Sequence, residues 1–321
     1  MKPMKKMLAT LTVAAIAAMG AGTANAAKIA VIAGSIEDGF FNLIKKGVDD
    51  ATLVVEANGG SVNYLRTPNY DNFGPDLVQL INTAVSQDVQ GIAIPIWVPD
   101  SEVPALQAAA EKGIKIMMYN AGAEHKESVK GINYFGSDEY VAGVAGGEYM
   151  AKNGAKNIIC HIQVPGAVNL EARCKGVKDG AEKNGAKVTN LPLPANLDQN
   201  VTGTAEAIKA ELIKDSSIDG VITLAAWASD AAAVGIQQAG RPVKLGTFDM
   251  SPAVLDRIKE GTQTMAIDQQ PYLQGFLATS MLAAHIDFGT ELATDPVLTG
   301  PAIVDASNIE TALEGVKKGA R

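Results

Sequence analysis

Asn153-Gly154-Ala155-Lys156 runs straight into Asn157-Ile158-Ile159-Cys160-His161-Ile162, and the same four residues return as Asn184-Gly185-Ala186-Lys187 before Val188-Thr189-Asn190-Leu191. Each reads as a helix end, a glycine, a lysine and then a strand. A glycine just past the last helical turn takes the left-handed cap that other residues resist. The pattern recurs at Asn58-Gly59-Gly60 before Ser61, at Lys112-Gly113 before Ile114, and at Ala239-Gly240 before Arg241 and Pro242. Strand, helix, glycine, strand, repeated, is the signature of a parallel sheet wrapped by helices.

The apolar runs place strands at 28–33, 61–65, 91–95, 114–119, 131–135, 157–162, 187–193, 220–224, 244–247 and 264–267. Most are continuously apolar, as strands covered on both faces are. Helical stretches fall at 40–57, 75–86, 103–112, 141–152, 170–184 and 202–214. Ten strands are too many for one compact sheet of this length, and the pattern restarts near residue 138. The expected fold is therefore α/β with two Rossmann-like lobes, each a parallel sheet with helices on both faces. In such sheets ligands sit beyond the carboxyl ends of the strands. The loops that matter are then 34–41, 96–100, 120–123, 163–173, 225–230 and 248–252.

The chain starts with a basic head (Lys2, Lys5, Lys6), an apolar run from Leu8 to Ala18, and Ala24-Asn25-Ala26. That is the layout of a cleaved secretory signal, with cleavage expected after Ala26. The apolar run is shorter than the roughly 20 residues a membrane span needs. No Cys stands at the new terminus to carry a lipid, so export to the periplasm as a soluble protein is expected. Removing three Lys from a chain of net charge −8 leaves 295 residues at −11. An acidic chain with scattered basic residues is a poor partner for nucleic acid or anionic lipid.

Several segments, in order, resemble the type I periplasmic sugar-binding family, the group of ribose-binding-like solute-binding proteins of ABC transporters. They are Ser35-Ile36-Glu37-Asp38-Gly39-Phe40-Phe41, Phe135-Gly136-Ser137-Asp138-Glu139-Tyr140, Thr247-Phe248-Asp249-Met250-Ser251-Pro252 and Ile267-Asp268-Gln269-Gln270-Pro271-Tyr272. The resemblance covers nearly all of the chain after the signal. It implies a type I periplasmic binding protein with a three-segment hinge. The N-terminal lobe would be 27–137 plus 270–300, and the C-terminal lobe 138–269 plus 301–321. The function implied is capture of a monosaccharide or related polyol and its delivery to an ABC importer, through a permease in the inner membrane, by a monomer without cofactor. Service in chemotaxis or sensing, or a non-sugar small ligand, stay open as alternatives.

The resemblance also implies site residues. Phe40 and Phe41 would cover the C–H face of a sugar ring; Asp38, Asn120, Arg173, Asp249 and Gln269 would bond its hydroxyls. Trp97 and Trp227 follow strands and are further candidates. A buried hydroxyl without a partner costs about 1–3 kcal/mol, so many fixed polar groups are needed. The chain departs from the family at Ala121, where an Arg is usual after the residue at Asn120. It departs again at Ala225–Asp230, which lacks the usual Asn-Asp pair, and at Trp97, where Asn-Pro is common. These departures leave the identity of the sugar open. Bland readings stand beside the sharp ones. Asp38 and Asp249 suit helix caps, Arg173 a surface helix, Gln269 a hinge bond, and Phe40 and Phe41 the core.

Cys160 and Cys174 stand 14 residues apart. In an oxidising compartment they either form a disulfide or remain two buried thiols. The three histidines, His125, His161 and His285, show no metal-binding spacing. Phosphate loops and dinucleotide fingerprints are absent. A periplasmic sugar enzyme using Asp38 and Asp249 has no nucleophile motif, metal set or cofactor loop to support it. A repressor of related fold would need a DNA-binding domain ahead of the first strand.

Overall fold

The computed structural model describes residues 26–321, so all of the expected signal segment except Ala26 lies outside the described residues. Ten strands appear where the apolar runs place them, shifted by a residue or two at some ends: β1 (Lys28–Ala33), β2 (Ser61–Arg66), β3 (Gly91–Ile94), β4 (Lys115–Tyr119), β5 (Gly131–Ser137), β6 (Asn157–Ile162), β7 (Lys187–Pro192), β8 (Gly220–Thr223), β9 (Lys244–Phe248) and β10 (Met265–Asp268). Two short strands join them, β11 (Val297–Gly300) and β12 (Ala302–Val304). They form two six-stranded sheets, ordered β11-β5-β4-β3-β1-β2 and β12-β10-β9-β8-β6-β7. Every pairing is parallel except β10 with β12.

The helices are α1 (Phe40–Ala57), α2 (Phe73–Ser86), α3 (Pro99–Glu111), α4 (Glu139–Lys152), α5 (Val168–Glu182), α6 (Val201–Lys214), α7 (Ala226–Ala239), α8 (Pro252–Lys259), α9 (Pro271–Phe288) and α10 (Ile309–Lys317). α3 starts four residues earlier than the apolar pattern suggests. Pro99 suits a first helical turn, and Glu102 folds back so that its Oε2 accepts from Trp97 N at 2.8 Å and Val98 N at 2.6 Å. α4 starts two residues early because Asp138 caps it, accepting from Val141 N at 2.9 Å. The interval 225–230, read as a loop, is mostly helix, since α7 starts at Ala226.

The sheets are covered on both faces, and β1, β3, β4 and β8 are buried almost end to end, Met117 and Met118 among them. Glycines let helix backbones touch over both sheets. In the second sheet, a Cβ on Gly143 or Gly147 of α4 would overlap the carbonyl of Arg173 or Val177 of α5. In return, Gly176 and Gly180 of α5 face the carbonyls of Tyr140 and Val144. In the first sheet, Gly47 of α1 faces Tyr272 O of α9, and Gly275 of α9 faces Ile44 O. Cys160 of β6 and Cys174 of α5 form a disulfide with Cα atoms 5.8 Å apart. A helix returning over its own strand brings them together.

The chain passes from one sheet to the other three times: after Ser137, between Asp268 and Pro271, and at Pro301, which alone separates β11 from β12. Asn120 after β4 and Asp249 after β9 hold equivalent places in the two sheets. Both have left-handed backbone (φ +63° and +67°), and each N–H bonds the neighbouring strand, to Phe135 O at 3.0 Å and Ile267 O at 2.9 Å. Asn and Asp tolerate that conformation better than other non-glycine residues.

Candidate ligand-binding site

The carboxyl ends of both sheets face one cavity. Its walls bound about 470 Å³ of free space, counting the part open to solvent. From the first sheet come Asp38, Phe40, Phe41, Trp97 and Asn120; from the second, Arg173, Asp249 and Gln269. Eight of the nine residues singled out in the sequence thus line one space.

The loop before α1 is fixed by Arg66 of β2, which donates to Gly34 O (3.1 Å), Asp38 O (2.9 Å), Ser35 O and Asn42 Oδ1 (2.7 Å). Asp38 is half-buried. Its Oδ1 accepts from Phe40 N at 3.0 Å and its Oδ2 from Tyr70 Oη at 2.9 Å. It therefore orders the turn into α1 and faces the cavity as well. Burial raises its pKa, against the opposing pull of the Phe40 N–H, the Tyr70 hydroxyl and the Arg66 charge. Behind it stands an aromatic wall. Phe41 meets Trp97 edge-on at 5.6 Å, Phe73 lies 5.1 Å from Trp97, and Tyr70 lies 4.7 Å from Phe73. Edge-to-face pairs of this kind hold rings in fixed orientation.

On the other side runs a chain of polar contacts. Arg173 Nε donates to Glu139 Oε2 at 2.5 Å, and its terminal nitrogens donate to Leu224 O at 3.3 Å and Gln269 Oε1 at 2.8 Å. Gln269 Nε2 then donates to Asp249 Oδ1 at 2.5 Å. The guanidinium lies 4.6 Å over the Phe248 ring. Arg173 is only 3% exposed, so Glu139 is the partner that makes its burial tolerable. Burial raises Asp249 to a pKa of about 7; Arg173 and the Gln269 bond work against this, and the Asp38 and Glu139 charges add to it.

The crossings are tied to the same groups. Asn120 Nδ2 donates to Gln274 Oε1 at 3.1 Å. Gln274 Nε2 reaches Gln269 O at 3.1 Å and Thr299 Oγ1 at 3.2 Å, and that hydroxyl donates to Gln269 O at 2.7 Å. Tyr134 Oη donates to Asn120 O and Ser137 O at 2.8 and 2.9 Å. Across the cleft, Val168 N at the start of α5 donates to Trp97 O in the loop after β3 at 3.0 Å. The cleft is closed.

Trp227 stands apart. α7 starting at Ala226 carries its ring away from the cavity, edge-on to His161 at 6.4 Å. It lines an adjoining groove that shares Asp38, Phe40 and Asp249 with the cavity. The sequence reading missed Tyr70, Phe73, Gln163 and Asn169 in the wall, and Glu139 behind Arg173. Gln163 and Asn169 stand in the segment 163–173 that follows β6 and are amides of the kind a hydroxylated ligand needs. Glu139 lay in the quoted crossover segment, and a buried Arg calls for such a partner.

The sequence profile of the periplasmic binding protein domain matches residues 29–291. The chain belongs to this family. Among its relatives is the xylose/arabinose-binding protein XylF of Sulfolobus acidocaldarius, 24% identical over 303 residues, covering 89% of this chain and 73% of that protein. A carbohydrate transporter structure from Acidothermus cellulolyticus 11B, solved with myo-inositol, is 34% identical with a TM-score of 0.84, covering 92% of this chain and all of that one. A solute-binding protein of an ABC transporter from Burkholderia graminis C4D1M, solved with D-arabinose, is 26% identical with a TM-score of 0.76 over 89% and 97%. The two-sheet arrangement is thus that of a type I periplasmic binding protein, with the cavity at the switch points where such folds take ligands.

Proposed function

We propose that this periplasmic binding protein captures a monosaccharide or cyclitol between its lobes and delivers it to an ABC importer. The observation that carries the reading is one cavity built from both sheets, with an aromatic wall beside Asp38 and Asn120 on one side and Arg173, Asp249 and Gln269 on the other. Phe40 and Phe41 present apolar faces to ring C–H groups, and Asp38 and Asp249 accept from hydroxyls. Asn120, Gln163 and Asn169 both donate and accept. The myo-inositol, arabinose and xylose of the relatives are all compact polyols that fit this chemistry.

The lobes are 27–137 with 270–300, and 138–269 with 301–321. Ligand touching both favours the closed form by its differential affinity for the two states. Micromolar affinity needs about −8 kcal/mol, within reach of several charge-assisted bonds. The protein then presents the permease with its closed face. Export to the periplasm fits this role, with Ala27 as the first residue after cleavage.

The test is a thermal-shift screen of refolded protein against pentoses, hexoses, cyclitols and amino acids. A ligand at 100 times Kd adds about 2.7 kcal/mol of stability. A shift with one sugar or cyclitol class is expected. A shift with amino acids alone would replace the substrate class.

A further inference from the structure

Two carboxylates line the cavity, one from each sheet, and among the described residues no cation bonds to either. Asp38 comes from the first sheet and Asp249 from the second, and both line the cavity and the adjoining groove. Arg66 spends its hydrogen bonds on Gly34 O, Ser35 O, Asp38 O and Asn42 Oδ1, none of them on the Asp38 carboxylate. Arg173 is committed to Glu139, Leu224 O and Gln269, none of it to Asp249. Asp230 and Arg321 also line the groove, but Asp230 pairs with Arg257 at 2.7 Å and Arg321 bonds Asp268. Glu37 stands beside Asp38 in the groove wall, and Asp198 adjoins Gln199, which lines that groove from the second lobe. Of the carboxyl groups that line the cavity and the groove, Glu37, Asp38 and Asp249 therefore have no guanidinium bonded to them among the described residues.

The cavity also carries a separate mark of a ligand rich in donors. Gln163 and Asn169, each 8% exposed, line it, and their Oε1 and Oδ1 have no partner among the described residues. An unpartnered buried acceptor costs about 1–3 kcal/mol. A ligand that offers O–H or N–H groups relieves that cost.

We propose that Asp38 and Asp249 together hold one positive charge when the cleft closes on its ligand: a proton when the ligand is a neutral sugar or cyclitol, and the ligand's own ammonium when it is an amino sugar or aminocyclitol. This rests on the cleft being a sugar site. The proton comes from solvent onto a carboxyl oxygen, and no other bond changes. Like charges brought together in a low-dielectric space cannot both stay ionised cheaply. Burial raises Asp38 and lifts Asp249 and Asp198 to about 7, Asp198 further by the nearby Asp38 charge, while the Phe40, Tyr70, Gln269 and Gln199 bonds oppose it. In the open form these groups regain water and ordinary acidity, so closing takes up the proton.

Isothermal titration calorimetry decides it. Myo-inositol, D-arabinose and D-xylose, and a monoamino-deoxy analogue of each, are titrated between about pH 5 and pH 8 in buffers of different ionisation heat. In Asp198→Asn, which removes the other carboxyl that burial lifts to about 7, the neutral ligand is expected to bring in close to one proton near pH 6. Its Kd should weaken by up to tenfold per pH unit between about 5 and 7, then level off. The amino analogue should bring in none, and its Kd should stay flat over that range. Asp249→Asn should remove the neutral ligand's proton uptake. Neutral binding without proton uptake, at the same Kd throughout, would overturn the charge slot and leave the sugar reading standing. No binding by any of these compounds, amine-bearing or not, would overturn both.

Discussion

Two neighbouring glycines in α4 separate backbone contact from side-chain contact. Gly→Ala in a helix gains about 1 kcal/mol of propensity at either position. At Gly147 the new Cβ would lie 2.1 Å from Val177 O and 2.8 Å from Val177 C of α5. An ordinary contact is more than an ångström longer, and a carbonyl held in its own helix cannot step aside. α4 and α5 must part, and with them the approaches at Gly143, Gly176 and Gly180. Overpacking of this kind costs about 1–3 kcal/mol, and the parted seam loses dispersion contacts besides. The strain outweighs the propensity, and Gly147→Ala should lose about 2 kcal/mol. At Gly146 the Cβ meets Ile267 Cδ1 at 2.8 Å, Ile222 Cδ1 at 3.2 Å and Met265 Cε at 3.5 Å, all ends of side chains that can turn. Gly146→Ala should stay within about 0.5 kcal/mol of the parent. Urea unfolding of the oxidised proteins measures both. Ligand affinity should also fall for Gly147→Ala, because α5 carries Asn169 and Arg173. If the two variants unfold at the same urea concentration, the backbone seam is softer than argued and the reasoning fails.

Val168→Pro removes only the N–H that bonds Trp97 O across the cleft, at a first helical position where proline is tolerated; with Ala167 already extended (ψ 118°), unfolding should barely change while ligand Kd weakens about five- to tenfold by calorimetry. Arg173→Ala leaves Glu139 buried and unpaired, so it should lose about 3–5 kcal/mol in chemical unfolding and abolish binding; Glu139→Gln with Arg173→Met should recover much of the stability but none of the binding. His161 is fully buried with neither ring nitrogen partnered among the described residues, and burial lowers its pKa to about 4. The unfolded chain binds that proton near 6.5, so stability is whole above about 6.5 and should fall by about 3 kcal/mol as pH drops to 4; His161→Phe should flatten that limb of the denaturation profile. Reducing Cys160–Cys174 opens a loop of about 15 residues and should cost about 3 kcal/mol, read as an earlier urea midpoint in the presence of reductant.

The frame was legible because most strands carry at least one of two signs: a helix ending at a glycine ahead of it, as before β2, β4, β6, β7 and β9, or a continuous apolar run, as in β1, β3, β4 and β8. β11 and β12 are short and half-exposed, and Gly289, which caps α9, lies well ahead of β11, so only the lobe boundary at 300–301 was expected there. Asn120 and Asp249 could be picked out because each directly follows the fourth strand of its half. Tyr70 and Phe73 escaped notice because they follow β2, an edge strand whose loop is drawn inward by Ile36 N to Thr67 O, Ser35 Oγ to Pro68 O and Tyr70 Oη to Asp38, bonds that no local pattern reveals. Trp227 drew attention as a loop residue. The early start of α7 turned it into a helix residue facing His161. Glu139 needed knowledge that Arg173 is buried, which no local pattern reveals.

One residue, Pro301, links a strand of the first sheet to a strand of the second. Two peptide steps reach at most about 7 Å. That tether has no slack, so at this point the sheets behave as a door at its hinge pin: they turn about it but cannot slide along it or lift away. Any opening would then displace the chain least beside Thr299 and Gln269 and most at the far lip. Side chains near the pin would keep their partners through the swing, whereas contacts such as Val168 with Trp97 would break first. The groups nearest the pin, Gln274 and Gln269 among them, form a seat already shaped before any ligand arrives.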